Sequence, residues 1–286
     1  MPPLAPSPWF LTADDPTGTA AAAAATTASA QAPAAAGPDA LLFCFPHAGG
    51  NPRTFLGWQD ALGRDGRVLA LCPPGRGHRF REPAPASVAE LADGAAAAVT
   101  AVTAGTDLPF LLFGHSFGAA LAFEVARRID GRPGFAGLVA SGCSAPSLLP
   151  TPRVVETARL TGRAFTEAVA FFGGLPPELA EDEVMQELLL PHLKADFRLV
   201  AEYAYRPAAP LTVPVTLVNG TGDPHVSPGA VAPWARECTA EPARHWTDGG
   251  HFYFEDRPAA VAEVLRPLLR AATASARTAD EYVELI

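Results

Sequence analysis

Short apolar runs alternate along the chain with longer stretches of helical periodicity. The runs at residues 41–45, 68–71, 110–113, 135–140 and 213–218 contain almost no polar positions. Strands buried on both faces have that pattern, whereas a half-exposed strand alternates. Residues 54–62, 87–102, 119–129 and 259–269 have the spacing and composition of helices. Ser87 is placed as an N-cap, with Glu90 three residues on as its capping-box partner. Strands that alternate with helices predict an α/β chain, with a mostly parallel central sheet covered by helices on both faces.

Two regions depart from the alternation. Residues 150–205 contain no strand-like run; 160–172, 182–190 and 193–205 are helical in pattern and partly amphipathic. Such an insertion is a second small domain or a lid. Its apolar residues (Phe165, Val169, Phe171, Phe172, Leu188, Leu189 and Leu190) suit internal packing and the shelter of an apolar substrate equally. Residues 19–36 are almost entirely Ala, Thr, Ser, Gln and Pro. With no large apolar side chain to bury, ordering them returns little for its entropy cost. The resulting division is a flexible Ala/Pro/Thr-rich segment at 1–38, an α/β domain at 39–272 with a helical lid insertion at 150–205, and a tail at 273–286. Trp9 and Phe10, two aromatics in a polar surround, are expected to anchor on the body of the domain.

Composition narrows the class. A chain of 286 residues at 49% hydrophobic and 18% charged has the material for one large core. Its formal net charge of −9 argues against nucleic acid and against an anionic membrane surface as partners. No apolar run reaches the length of a membrane span. The first Lys or Arg is Arg53, which speaks against a secretory leader. Cys44, Cys72, Cys143 and Cys238 are widely spaced, with no CxxC, as expected of reduced thiols in a cytoplasmic protein. A monomer is the expected state.

The candidate chemistry starts at Gly114-His115-Ser116-Phe117-Gly118. The pattern G-x-S-x-G, after a buried strand and before a helix, is that of a nucleophile elbow. The serine occupies a sharp turn, and the flanking glycines allow close strand–helix packing. The N–H of Phe117 lies at a helix start, where donor and dipole favour a developing oxyanion. A serine needs a base, oriented by an acid, and the order for this architecture is Ser, Asp or Glu, His. Asp223 follows the run 213–218 in a Gly-Thr-Gly-Asp loop, at the strand end where sites of open α/β sheets lie. His251 follows in Gly-Gly-His-Phe-Tyr-Phe. Asp223 would orient His251, and His251 would take the Ser116 proton. Asp196 lies in the insertion and Asp248 is only three residues from His251, so both rank below Asp223. His115 is read as structural or a pocket wall. His47, His78, His192, His225 and His245 lack the loop context of His251. The loop Pro46-His47-Ala48-Gly49-Gly50 follows the first main strand, and the N–H of Ala48 is the candidate second oxyanion donor.

Taken together, LFCFPHAGG at 42–50, PGRG at 74–77 with Arg79 and Glu82-Pro83, FGHSFG at 113–118, KADF at 194–197 with Tyr203, and the Gly-Thr-Gly-Asp and Gly-Gly-His-Phe-Tyr-Phe segments resemble the type II thioesterases. These are the free-standing editing enzymes of polyketide and non-ribosomal peptide assembly lines. The resemblance runs from about residue 41 to 269. It implies an α/β-hydrolase fold with a helical lid, and hydrolysis of acyl groups from the phosphopantetheine arm of acyl or peptidyl carrier proteins. Ser116, Asp223 and His251 would be the triad, and the Ala48 and Phe117 amides the oxyanion hole. No metal or cofactor is implied, since the pantetheine belongs to the substrate. About thirty residues separate Phe10 from Leu41, more than the family pattern has, and the tail from Thr273 is longer.

Other readings share the triad: a carboxylesterase, an acyltransferase acting on small esters or thioesters, or a non-catalytic protein on the same scaffold. A carrier protein is generally acidic, as is this chain. Arg76, Arg79 and Arg81, within six residues, are a candidate local basic patch, with pairing to Glu82 as the competing expectation.

Overall fold

The computed structural model describes residues 5–14, 37–173 and 183–283. The Ala-rich segment at 19–36 lies outside the described residues. Among these, seven strands form one sheet. They are β1 (Phe10–Leu11), β2 (Leu41–Phe45), β3 (Arg67–Leu71), β4 (Phe110–His115), β5 (Phe135–Ser141), β6 (Val215–Gly220) and β7 (Ala243–Thr247), in the spatial order β1-β3-β2-β4-β5-β6-β7. β1 runs antiparallel to β3, and every other pairing is parallel. Helices α1 (Arg53–Leu56), α2 (Trp58–Leu62), α3 (Val88–Thr103) and α4 (Phe117–Ile129) follow the early strands.

The sheet is buried because it is covered twice. Alternate residues of β2 go to opposite faces: Leu41, Phe43 and Phe45 join a core with α3 and α4, while Leu42 and Cys44 join a second core with α1 and α2. β4 divides in the same way, Phe110 and Leu112 against Leu111 and Phe113. The period of two is thus present in strands whose sequence shows no polar alternation, because both faces are dry.

Three elements exceed the sequence expectation. β7, Ala-Arg-His-Trp-Thr, is an edge strand with mostly exposed side chains. Its polarity suits an edge and hides it from a search for apolar runs. β1 is only two residues long, yet it carries the expected anchor. Phe10 is 5% exposed and packs edge-on to Phe43 with ring centroids 4.9 Å apart, and the Arg79 guanidinium lies 4.0 Å from the Trp9 ring. The last helix runs Pro258–Val283, so residues 273–283, expected as a tail, continue it. Ser87 accepts from the Glu90 N–H at 3.1 Å, as expected of an N-cap. The Glu90 carboxylate reaches the Ala86 N–H instead of that of Ser87.

Among the described residues the insertion folds as three helices, α5 (Pro152–Arg159), α6 (Gly162–Phe171) and α7 (Glu183–Ala201). Pro152 at the first helical position and Thr151 as N-cap start the first of them. Phe165, Val169, Leu193 and Phe197 form a small core of their own, against which Ala48, Leu190 and Phe172 pack. Leu188 and Leu189 have no described side chains. The short helices Pro228–Val231 (α8) and Tyr253–Asp256 (α9) precede the long C-terminal helix, α10. No helix among the described residues is long and apolar enough to cross a membrane.

Candidate active site

Because β2, β4, β6 and β7 are parallel, their following loops emerge along one edge of the sheet. Those loops carry Ala48, Ser116, Asp223 and His251 respectively. β2 pairs with β4 up to Phe45 opposite Gly114, so the 46–50 loop leaves the sheet beside Ser116.

Ser116 has φ 55° and ψ −118° and is the one non-glycine with positive φ among the described residues. Strained backbone of this kind costs about 1–3 kcal/mol and persists only where its surroundings fix it. The Ser116 N–H donates to the Ser141 carbonyl at 2.8 Å, and α4 begins at the next residue. The flanking glycines have a steric reason. A Cβ at Gly114 would lie 2.1 Å from the Gly118 carbonyl oxygen, and one at Gly118 would lie 2.0 Å from that of Phe45.

His251 Nδ1 lies 2.7 Å from Asp223 Oδ2, with the two side chains 7% and 0% exposed. The other carboxylate oxygen of Asp223 accepts from the His225 backbone N–H at 2.7 Å. The two loops are further joined by backbone bonds, Thr221 N–H to the Thr247 carbonyl at 2.8 Å and Gly222 N–H to that of Gly249 at 2.9 Å. Phe252 packs edge-on to His251 at 5.0 Å.

Ser116 and His251 both line a cavity of about 410 Å³. Its wall is largely apolar, with Phe117, Leu149, Val154, Phe172, Val200 and Val226, and includes Cys143, Arg153 and His225. Burial pushes the Cys143 thiol up to about 12, which keeps it protonated. Ala48 does not line this cavity; it packs against the lid core and the core over α3 and α4.

Other imidazoles gather around His251. His115 is fully buried, its Nδ1 2.9 Å from Ser141 Oγ, which in turn lies 2.8 Å from the Tyr253 hydroxyl. Burial holds His115 well below the usual histidine range, and His251 and then His47 add to the effect. His47 is lowered to about 3 by burial, then by His251 and Arg76. His225, stacked on Phe172 at 4.6 Å, is lowered by burial and His251 against the pull of Asp223. These three rings therefore stay neutral beside His251. The sequence reading ranked His225 as a rival base and missed it as a cavity wall, because what places it there is a Phe172 contact across the chain.

The rival acids lie elsewhere. The Asp248 side chain is 89% exposed. Asp196 is buried, but its partners are the Gly49 N–H and Arg76. Of the two expectations for the arginine loop, internal pairing holds for Arg76 and Arg79. Arg76 is ion-paired with Asp196 and donates to the His192 carbonyl, while Arg79 is paired with Glu82 at 2.5 Å and donates to the Cys72 carbonyl. Two of the three charges are internally satisfied, and of the three arginines Arg81 alone is exposed.

Known proteins show the same arrangement of sequence and fold. The profile of the thioesterase domain family matches residues 40–269. The chain is 37% identical over 218 residues to thioesterase PikA5 of Streptomyces venezuelae, covering 76% of each. Among solved structures it matches the RedJ thioesterase from the prodiginine biosynthetic pathway of Streptomyces coelicolor, with 33% identity and a TM-score of 0.72, over 85% of this chain and 90% of that one. It also matches YbtT, the type II thioesterase of the yersiniabactin pathway, with 30% identity and a TM-score of 0.74, over 85% of this chain and 97% of that one.

Proposed function

The chain belongs to the thioesterase domain family and is a hydrolase of α/β-hydrolase fold, and from that premise we propose that it hydrolyses acyl thioesters from the phosphopantetheine arm of acyl or peptidyl carrier proteins, removing stalled or wrong acyl units. The observation that carries the reading is the conjunction at one cavity of Ser116 at its strained turn with His251 bonded to a buried Asp223.

The proposed steps use these groups in turn. The acyl chain occupies the apolar cavity and presents its thioester carbonyl to Ser116. Ser116 Oγ attacks the carbonyl carbon as His251 takes its proton, and Asp223 stabilises the imidazolium through the Nδ1 bond. The oxyanion accepts from the N–H groups of Phe117 and Ala48. Collapse breaks the C–S bond, and His251 returns the proton to the departing pantetheine thiol. Water then attacks the acyl-serine with His251 as base, releasing the carboxylic acid and restoring Ser116. Each group is a protein side chain or backbone amide. Family resemblance and the names of the matched proteins support the carrier-bound substrate and the editing role.

The test compares one acyl group on two leaving groups, a carrier-bound thioester and a p-nitrophenyl ester, with the wild type and Ser116→Ala. Faster turnover of the carrier-bound thioester, lost in Ser116→Ala, is the expected result. Preference for the plain ester would move the protein to the esterase reading. Activity that survives in Ser116→Ala would remove the proposed nucleophile.

A further inference from the structure

The peptide that carries the Ala48 N–H is held directly, and the peptide after it is held as well. Its carbonyl, that of His47, accepts from the Gly50 N–H at 2.8 Å. The next peptide is held from far away in sequence: the Gly49 N–H donates to Asp196 Oδ2 at 2.7 Å. Asp196 lies on α7, in the lid. Its side chain is 9% exposed and forms an ion pair with Arg76. Arg76 also donates to the His192 carbonyl at 2.9 Å, one turn back on the same helix. Leu193 presses on the loop as well. Gly49 has φ 74°, and a Cβ there would lie 2.4 Å from Leu193 Cδ1.

A buried carboxylate is costly unless it is paired and hydrogen-bonded. Helix-to-loop packing alone needs no charge, and Leu193 supplies it. The carboxylate adds a fixed acceptor for one backbone N–H, in a loop that leaves the sheet beside Ser116. Burial raises the Asp196 carboxyl, while Arg76 and the Gly49 N–H pull it down.

We infer that Asp196 is a positioning residue that reaches from the lid helix to orient the Ala48 oxyanion donor, so that the oxyanion hole is complete only when α7 is seated on the 46–50 loop. The inference rests on the oxyanion hole proposed above. With α7 lifted, the Gly49 N–H loses its acceptor, and the peptide that follows the Ala48 amide is no longer held from the lid. The lid then does more than cover the acyl group: it assembles part of the machinery, and an open lid leaves Ser116 without its full donor set.

The test uses Asp196→Ala and Arg76→Gln, which break the same ion pair, while only the first removes the Gly49 acceptor. Two quantities are read: steady-state kcat and KM on an acyl thioester, and the affinity of an alkyl trifluoromethyl ketone, which forms a tetrahedral oxyanion with a nucleophilic serine. Asp196→Ala is expected to lower kcat roughly 10- to 100-fold with KM within about 2-fold, and to weaken the ketone by the same factor, since the lost interaction belongs to the tetrahedral state. Arg76→Gln is expected to keep kcat within about 3-fold, because the Gly49 bond survives. If Asp196→Ala does not fold, Asp196→Asn is read in the same assays against Arg76→Gln; a larger loss of kcat and of ketone affinity than in Arg76→Gln is expected, and a loss no larger than that would overturn the inference. Equal kcat losses in Asp196→Ala and Arg76→Gln would overturn the inference in favour of a lid clamp, as would a rise in KM at constant kcat or unchanged ketone affinity. If the site itself is misread, the wild type does not bind the ketone and Ser116→Ala stays active; if only Asp196 is misread, the ketone binds, Ser116→Ala is dead and Asp196→Ala turns over like the wild type.

Discussion

Ser116 holds positive φ on a side-chain-bearing residue because two glycines let β4, α4 and β2 approach closely around it. The glycines at 114 and 118 are read correctly from the sequence as room for packing; the contacts say which oxygen each would strike. The Asp223–His251 pair has an expected consequence for rate. Asp223→Asn keeps the volume but favours the wrong tautomer of His251, and kcat is expected to fall about 10⁴-fold with KM little changed, as read by steady-state hydrolysis. The neutral histidines have a consequence for stability. His47 has a native pKa of about 3, below its unfolded value near 6.5. Between those values the unfolded chain binds more protons than the native one, so stability is full above pH ~6.5 and is lost on acidification toward ~3. His47→Gln should flatten that acid limb by up to ~1.4 kcal/mol per pH unit relative to wild type, measured by urea unfolding at pH 7, 6 and 5.

At the level of elements, β1 shows how little strand is needed when its side chain is large. Two residues pair with β3, and Phe10 closes the core over Phe43. Phe10→Ala is expected to cost about 3–5 kcal/mol in chemical denaturation, as for other buried aromatics. A loss below ~1 kcal/mol would mean that β1 is a loose cover. The lid divides the apolar set whose purpose composition left open. Phe165 and Val169 pack among the lid helices, Phe172 faces the cavity, and Phe171 is 50% exposed. Helical periodicity identifies the apolar side of a helix but not what that side meets.

At the scale of the whole molecule, charge bears on the proposed partner. The chain has a net charge of −9, and Arg76 and Arg79 are occupied internally. Two acidic partners are not steered together by their net charges, and salt screens their repulsion. Raising NaCl from ~0.05 to ~0.5 M should therefore leave kcat/KM for a carrier-bound thioester unchanged or higher. A fall of about tenfold would instead reveal a basic docking surface that the arginine count of this loop does not supply.

The fold class, the buried strands β2 to β6 and the order Ser116, Asp223, His251 were legible in the chain by itself. Each is written locally: apolar runs of strand length, a turn that only certain residues tolerate, and glycine-rich loops at strand ends. β7 was not legible, because an edge strand needs no apolar run, and the last helix beyond residue 272 was not, because residues 273–278 carry no large apolar side chain and are half-buried or exposed. The neighbours of the site were legible least of all. His225 against Phe172, the neutral histidines around His251, and Asp196 on the Gly49 amide join segments far apart in sequence. Such contacts depend on the register of whole elements against one another. A sequence can say that an aspartate is present in a helix, but only packing decides whether its carboxylate meets water, a base or a backbone N–H.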